Sequence, residues 1–261
     1  MKIVHEWLSA CAGCETVLLD YGPFFEQMIH DMEIIYMPLL MDRKATPDTH
    51  VPGQGLESPI YPEADIAIVS GALRSEQDLA RLLAIKKSSN RVIALGTCAT
   101  HGGIPALSNS FTTDQLIDSV FDGGFPATLE DQTDGAEGTE PQVPRLLERV
   151  YAVDEKSTPD LLLPGCPPNP ALVVEAISAL ARGDDPRLPE RSVCDTCPTV
   201  RTGKGEVKST RRFLENLPFP SESPIHEMRC LLEQGLVCMG PVTAAGCARE
   251  GAPQCILARV P

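Results

Sequence analysis

Short apolar runs in the first two thirds of the chain predict five β-strands. Each run is continuous and lacks the alternation of apolar and polar positions that marks a strand with one solvent-facing side. Continuous runs of this length are typical of strands that are buried on both faces of a parallel sheet. The runs cover residues 2–8, 32–37, 64–70, 91–95 and 161–163.

Three stretches that lie between or after these runs have apolar residues at helical spacing. Because strands and helices alternate, the pattern predicts a doubly wound α/β domain over residues 1–185. The helical stretches are residues 14–29, residues 75–87 with apolar Leu79, Leu82 and Leu83, and residues 171–181.

Two further regions do not fit this alternation. Residues 128–144 are acidic, rich in Gly and Pro and poor in apolar side chains, so we expect an exposed loop there. Residues 186–261 form an irregular second domain that contains six cysteines. A segment this short and irregular does not bury enough surface to fold unaided, and bound metal would supply the missing cross-links.

Charge and cysteine content narrow the functional classes. The chain has 22 basic and 36 acidic side chains, a formal net charge of −14, which argues against nucleic-acid or anionic-membrane partners. No run approaches the roughly 18 apolar residues of a membrane-spanning helix. The first residues carry neither a secretory signal core nor a twin-arginine motif, so we expect a cytoplasmic protein. In a reducing compartment, ten cysteines point to metal or redox chemistry instead of disulfides.

Four cysteines follow three of the predicted strands. Cys11 and Cys14 form a C-x-x-C motif after the first strand, Cys98 follows the fourth and Cys166 follows the fifth. Because the carboxyl ends of parallel strands meet at one edge of a sheet, the four thiolates are expected to converge there. Such a set suits an iron–sulfur cluster or zinc. A thioredoxin-like redox pair and buried inert cysteines remain alternatives.

The remaining cysteines all lie in the second domain. A structural alternative for this region is a zinc-stabilised interaction module, with one C-x-x-C pair as a knuckle. The six residues are Cys194, Cys197, Cys230, Cys238, Cys247 and Cys255.

Four motifs stand out in the first domain: ACAGCE at residues 10–15, SGALRSE at 70–76, GTCATHGGIPAL at 96–107 and LPGCPPNP at 163–170. They resemble those of one protein family, the small electron-transfer subunits of nickel–iron hydrogenases, in its cytoplasmic, heterodisulfide reductase-associated (methyl-viologen-reducing) type. The resemblance implies a flavodoxin-like doubly wound parallel sheet followed by a small irregular iron–sulfur domain. In the similar subunit of respiratory complex I the first two cysteines are adjacent, whereas Ala12 and Gly13 separate them here.

The resemblance implies three 4Fe–4S clusters, of which two have complete sets of ligands in this sequence. Cys11, Cys14, Cys98 and Cys166 would bind a proximal cluster, and Cys194, Cys197, Cys230 and Cys238 a distal one. Cys247 and Cys255 would supply part of a medial cluster. The ten cysteines are two fewer than three four-cysteine clusters require. We therefore expect the second domain to be truncated at its end; a natural two-cluster variant and ligands from another chain are the alternatives.

By the same resemblance, the chain is an oxidoreductase component of an anaerobic multisubunit hydrogenase whose nickel–iron centre lies on a separate large subunit. It would pass electrons from dihydrogen oxidation in the large subunit to a downstream redox subunit such as heterodisulfide reductase. A large apolar interface with the catalytic subunit is also expected. Glu15, next to a cluster ligand, is either a proton relay with a raised pKa or a helix first-turn acid. Alternatives are the small subunit of a regulatory dihydrogen sensor or of a complex I-like oxidoreductase.

Overall fold

A computed structural model describes residues 1–20, 22, 26, 30, 32–42, 59–120, 145–188, 190–203, 210, 224 and 226–242. The chain divides into two compact units, Met1–Asp184 and Asp185–Pro261. Across these described ranges, no helix is long and apolar enough to cross a membrane. The loop expected over residues 128–144 lies outside the described residues.

The first unit is built on a parallel sheet of five strands in the order β2-β1-β3-β5-β7. This is the flavodoxin-like strand order, and the predicted doubly wound fold is confirmed. A second, two-stranded sheet pairs β4 with β6 in antiparallel fashion. The strands are β1 (Lys2–Trp7), β2 (Glu33–Tyr36), β3 (Ala64–Ser70), β4 (Leu73–Ser75), β5 (Ser89–Leu95), β6 (Leu146–Tyr151) and β7 (Leu161–Leu163).

Helices connect the strands. In the described ranges, the α-helices are α1 (Gly13–Asp20), α2 (Glu76–Ser88), α3 (Gly96–His101), α4 (Thr113–Val120), α5 (Pro170–Ala181) and, in the second unit, α6 (Val193–Thr196). Short 3₁₀ helices cover Pro105–Ser110, Val153–Glu155, Leu232–Gln234 and Gly240–Val242.

Helix α2 begins where its sequence signals a start. The Ser75 side chain accepts a hydrogen bond from the backbone N–H of Asp78, and the Asp78 carboxylate accepts one from the backbone N–H of Ser75, which is a capping box. Leu82 and Ile85 are fully buried against the sheet. Leu83, expected on the apolar face, is 51% exposed because it lies one position beyond the buried stripe.

The core of the first unit lies along the central strands β1, β3 and β5. Ala67, Val69, Val92 and Ala94 are at most 1% exposed, as expected for strands covered on both faces. Two polar residues break the apolar pattern of β1, since His5 and Glu6 are each 1% exposed. Their side chains lie on opposite faces of the sheet because successive residues of a strand alternate.

Glu6 is buried within a polar cluster on its face of the sheet. Its carboxylate accepts hydrogen bonds from the hydroxyls of Tyr36 at 3.1 Å and Tyr61 at 2.5 Å, and from Arg81 at 3.3 Å. Burial and the Glu6 charge raise the pKa of both tyrosines. Three donors thus satisfy a carboxylate that burial alone would destabilise.

The second unit has little regular structure in its described part, as the sequence predicted. A parallel bridge joins Val200 to Arg229. Beside it, the Glu233 carboxylate accepts hydrogen bonds from the backbone N–H groups of Thr202 and Gly203, both at 2.9 Å. Side-chain hydrogen bonds thus cross-link backbone segments of this unit, which compensates for its small core.

Candidate functional site

The first cysteine group lies where three parallel strands end. Cys11 and Cys14 follow β1, with Cys14 in the first turn of α1. Cys98 lies in α3 directly after β5, and Cys166 follows β7. A Cβ atom added to Gly96, two residues before Cys98, would lie 2.3 Å from the Cys14 Sγ and 3.6 Å from the carbonyl oxygen of Gly165, the residue before Cys166. The structure thus brings together the three segments that carry the four predicted residues.

Two glycines allow the backbone to approach these sulfurs. At Gly96, with φ of +87°, a Cβ atom would lie 2.3 Å from the Cys14 Sγ. At Gly103, with φ of +57°, a Cβ atom would lie 2.7 Å from the Cys98 Sγ. Both positions combine a left-handed backbone with a close contact, so only glycine fits without a shift of the neighbouring chain.

Hydrogen bonds join the Cys98 segment to the Cys166 segment. The backbone N–H of Thr97 donates to the carbonyl of Gly165 at 2.8 Å, and the N–H of Gly165 donates to the Thr97 hydroxyl at 3.2 Å. The backbone N–H of Ile104 also donates to the Cys98 sulfur. Backbone donors of this kind stabilise sulfur that carries negative charge.

The electrostatics of the group favour a cationic occupant. Burial first, then the charges of Glu15 and the other three cysteines, raise the pKa of the Cys14 thiol to about 12. Burial likewise raises the pKa of Cys98, although the N–H of Ile104 opposes it. Four such thiols ionise together only when iron or another cation compensates them, with release of protons.

The residues present fit a 4Fe–4S cluster. All eight described cysteines are free, and four of them surround a glycine-lined cradle with backbone donors aimed at sulfur. Within the described ranges, no three His, Cys, Asp or Glu side chains are placed to hold a single metal ion. In a 4Fe–4S cluster each thiolate binds a different iron, so its ligands do not share one ion.

Glu15 is buried beside this group, at 2% exposure. Its Oε1 lies 3.0 Å from His5 Nε2 and accepts a second hydrogen bond from the Ser70 hydroxyl. Burial alone would raise the pKa of Glu15, but the hydrogen bonds of His5 and Ser70 and the charge of His5 outweigh it and lower the pKa. This direction is opposite to the raised pKa on which the proton-relay interpretation depends.

The second cysteine group lines one small cavity in the second unit. Cys194, Cys197, Cys230 and Cys238 all face it, beside Gly240. The N–H of Gly240 lies 3.4 Å from the Cys238 sulfur and is directed at it. Burial raises the pKa of the Cys194 thiol, and the charges of the other three cysteines raise it further. Cys247 and Cys255 lie outside the described residues.

Exposed apolar side chains follow the Cys98 segment. Cys11 and Cys166 are themselves exposed. Ile104 is 67% exposed, Leu107 68% and Phe111 58%. Large apolar side chains exposed close together in the chain are typical of an interaction surface.

Sequence reasoning missed several polar neighbours of the first group. Ser70 and Ile104 lie within the motifs quoted above, but a motif does not indicate which groups its residues contact. A charged-type residue within an apolar strand was the one available signal for His5. His101, the last residue of α3, is exposed, and its Nδ1 lies 2.7 Å from the Thr100 hydroxyl. Arg74 donates to the carbonyl of Leu147 within the chain, at 3.4 Å.

The chain is similar in sequence to one protein family and to subunits of two hydrogenases. The family model described as NADH ubiquinone oxidoreductase, 20 Kd subunit, matches residues 11–180. A subunit of the F420-non-reducing hydrogenase vhu of Methanocaldococcus jannaschii is 33% identical over 250 residues, which cover 96% of this chain and 77% of the relative. The corresponding subunit of the F420-non-reducing hydrogenase of Methanothermobacter thermautotrophicus is 30% identical, with coverages of 96% and 74%.

A solved structure shares the fold. It is a chain of an NAD⁺-reducing [NiFe]-hydrogenase in the H₂-reduced state, with a TM-score of 0.54 and 25% identity. The alignment covers 73% of this chain and 96% of that chain.

Proposed function

We propose an electron-transfer role for this chain from the family to which it belongs, that of the NADH ubiquinone oxidoreductase 20 kDa subunit and, within it, the small subunits of nickel–iron hydrogenases. The chain would carry electrons between the hydrogen-activating subunit and a further redox subunit. It is a component of an oxidoreductase complex that acts on hydrogen. The catalytic nickel–iron centre would lie on another chain.

The convergence of Cys11, Cys14, Cys98 and Cys166 from three strand ends carries this proposal. These thiolates would hold the proximal 4Fe–4S cluster. When bound, such a cluster supplies one-electron oxidation and reduction. The chain contributes the four ligands, the Ile104 N–H that donates to Cys98, and glycines that let the backbone approach sulfur.

For Glu15 both roles given above stay predictions, that of a proton relay and that of an acid in the first turn of α1. Because its pKa is lowered and not raised, a relay role would require Glu15 to act as a carboxylate that accepts protons. His5 and Ser70 orient the carboxylate through Oε1, while Oε2 has no hydrogen-bond partner in the described part of the chain.

The second group would carry electrons outward. Cys194, Cys197, Cys230 and Cys238 line one cavity and would hold the distal 4Fe–4S cluster. Cys247 and Cys255 would contribute to a third, medial cluster. A downstream subunit, heterodisulfide reductase or a similar protein, would accept the electrons. A reducing, cytoplasmic and anaerobic setting would keep these thiols available to the clusters.

The exposed surface near the first group supports a large-subunit partner. Exposed Cys11 and Cys166, together with Ile104, Leu107 and Phe111, would be covered in the complex. Water exclusion at this place would lower the local dielectric around the proximal site.

The test is dihydrogen-dependent viologen reduction by the intact complex, purified anaerobically, with iron counted on the same sample. Activity with about eight or about twelve cluster irons in this subunit supports the proposal with two or three clusters respectively. Cys98→Ser should abolish activity and proximal iron, whereas the surface variant Thr158→Ala should match the wild type. An iron-replete complex without activity overturns the proposal in favour of a dihydrogen sensor or a complex I-like oxidoreductase.

A further inference from the structure

The first cysteine group is assembled from strands that are not neighbours. Cys11 follows β1 and Cys98 follows β5, and β3 lies between these two strands. Neighbouring strands are about 4.8 Å apart, so the two segments leave the sheet roughly 10 Å apart. Both segments leave the sheet beside Ser70 of β3, which pairs with Trp7 on one side and with Leu95 on the other. The ladders end there, so contacts outside the main sheet hold the two segments beyond this point.

Backbone hydrogen bonds join the antiparallel pair of β4 and β6 to the segment that leads to Cys11. Ala72, directly before β4, exchanges two backbone hydrogen bonds with Ser9, at 3.0 and 3.2 Å. The Asp78 carboxylate reinforces this junction: it accepts from the Ser9 hydroxyl at 3.1 Å and from the backbone N–H of Arg74, in β4, at 3.0 Å. The segment that leads to Cys11 is therefore tied to β4, and through it to β6.

Asn109 joins the other segment to the same pair of strands. It lies in the 3₁₀ helix Pro105–Ser110, which follows the turn after Cys98. Its Oδ1 accepts from the backbone N–H of Val150 at 2.7 Å, and its Nδ2 donates to the carbonyl of Val150 at 3.0 Å. One side chain thus engages both backbone groups of one residue of β6, as an adjacent strand would.

The chain between Asn109 and Cys98 is hydrogen-bonded step by step. The N–H of Gly102 donates to the carbonyl of Cys98 at 3.0 Å, and the N–H of Ala106 donates to that of Gly102 at 3.2 Å. The N–H of Leu107 donates to the carbonyl of Ile104 at 3.1 Å. A displacement of the 3₁₀ helix is therefore transmitted through these bonds to the backbone of Cys98.

We propose that Asn109 is a positioning residue for the first cysteine group: it ties the Cys98 segment to β6 and, through the β4–β6 pair and Ala72, to the segment that leads to Cys11. The inference rests on the proposed function, because it assumes that both segments hold one cluster. Asn109 is not itself a ligand and acts through the hydrogen-bonded turn between Cys98 and the 3₁₀ helix. Together with the main sheet, it holds the two cysteine segments at their separation and opposes their opening.

The experiment compares variants of the intact complex. Asn109→Leu removes both hydrogen bonds at similar volume, and Asn109→Asp keeps the acceptor for the Val150 N–H. Asp65→Leu is the matched control, because the Asp65 carboxylate also bonds a strand backbone, the N–H of Lys2 at 2.7 Å, which lies at the start of β1 and not at its cysteine end. The readouts are the rate at which an iron chelator bleaches the proximal cluster signal in electron paramagnetic resonance (EPR), the midpoint potential of that signal, and the thermal midpoint.

We expect Asn109→Leu to speed chelation by about fivefold, the ratio that follows from two hydrogen bonds at the weak end of their range. Its midpoint potential should shift, Asn109→Asp should lie between it and the wild type, and Asp65→Leu should lower only the thermal midpoint. Unchanged chelation and potential in Asn109→Leu, or equal changes in Asp65→Leu, overturn the inference. If Asn109→Leu does not assemble, Asn109→Asp decides by the same comparison. A wild-type complex without hydrogenase activity overturns the proposed function instead.

Discussion

Gly96→Ala is the substitution with the clearest expected effect on the first cysteine group. Gly96 has φ of +87°, and an added Cβ would lie 2.3 Å from the Cys14 Sγ. A left-handed backbone costs an alanine about 1–2 kcal/mol. The overlap with sulfur adds the cost of moving either Cys14 or the turn between β5 and α3, about 1–3 kcal/mol for an overpacked site. Both parts of the change act on a ligand segment.

Gly183→Ala separates the two contributions. Gly183 has φ of +80°, close to that of Gly96, but no atom lies within 4 Å of its added Cβ. It should therefore show the backbone cost alone, a lower thermal midpoint with full iron content. Gly96→Ala should lose the proximal signal and its iron, about four atoms for each complex. Retention of wild-type iron and EPR spectrum by Gly96→Ala would refute the reasoning, since the sulfur would then not be confined as described.

Three further substitutions test other parts of the structure. Glu15→Gln removes a charge that raises the pKa of Cys14, so the apo-protein of this variant should bind iron at a lower pH than the wild type does. If Glu15 relays protons, the same substitution should slow hydrogen–deuterium exchange more than it slows viologen reduction. Backbone hydrogen bonds from Thr202 lower the pKa of Glu233, so the stabilisation is present above its unfolded pKa of about 4.3 and is lost as pH falls through the folded value. Glu233→Gln should abolish that acid dependence of iron retention in the second group, measured from pH 6 downwards to about pH 3. Tyr61→Phe leaves buried Glu6 with one donor fewer and should cost about 1–3 kcal/mol in thermal unfolding, without loss of iron.

The parallel sheet was predictable because burial on both faces leaves a plain signature. A strand such as β3 has one exposed position, Asp65, in seven residues, so its apolar run is continuous. The meeting of four cysteines followed from the same step, since the carboxyl ends of parallel strands share an edge. Neither inference required knowledge of any side-chain contact.

The parts that could not be predicted depend on residues far apart in the chain. β4 and β6 are short, and Leu73 pairs with Tyr151 across a long stretch of sequence, so neither strand has a local signal of its pairing. His5 and Glu6 look misplaced in an apolar strand until their partners are known. Those partners, Glu15 for His5 and Tyr61 for Glu6, come from other elements, and hydrogen bonds of this kind have no sequence period.

The short strand β7 bears on when the first group can form during synthesis. It has three residues, pairs with β5 on one side, and directly precedes the segment of Cys166. The fourth ligand is thus translated more than a hundred residues after the first pair, and it follows a short strand that is paired on one side only. Any occupant that needs all four thiols must wait until this edge strand has docked. If the fold loosened, such an occupant would first be released at the same strand. Both its binding and its release therefore depend on the docking of β7.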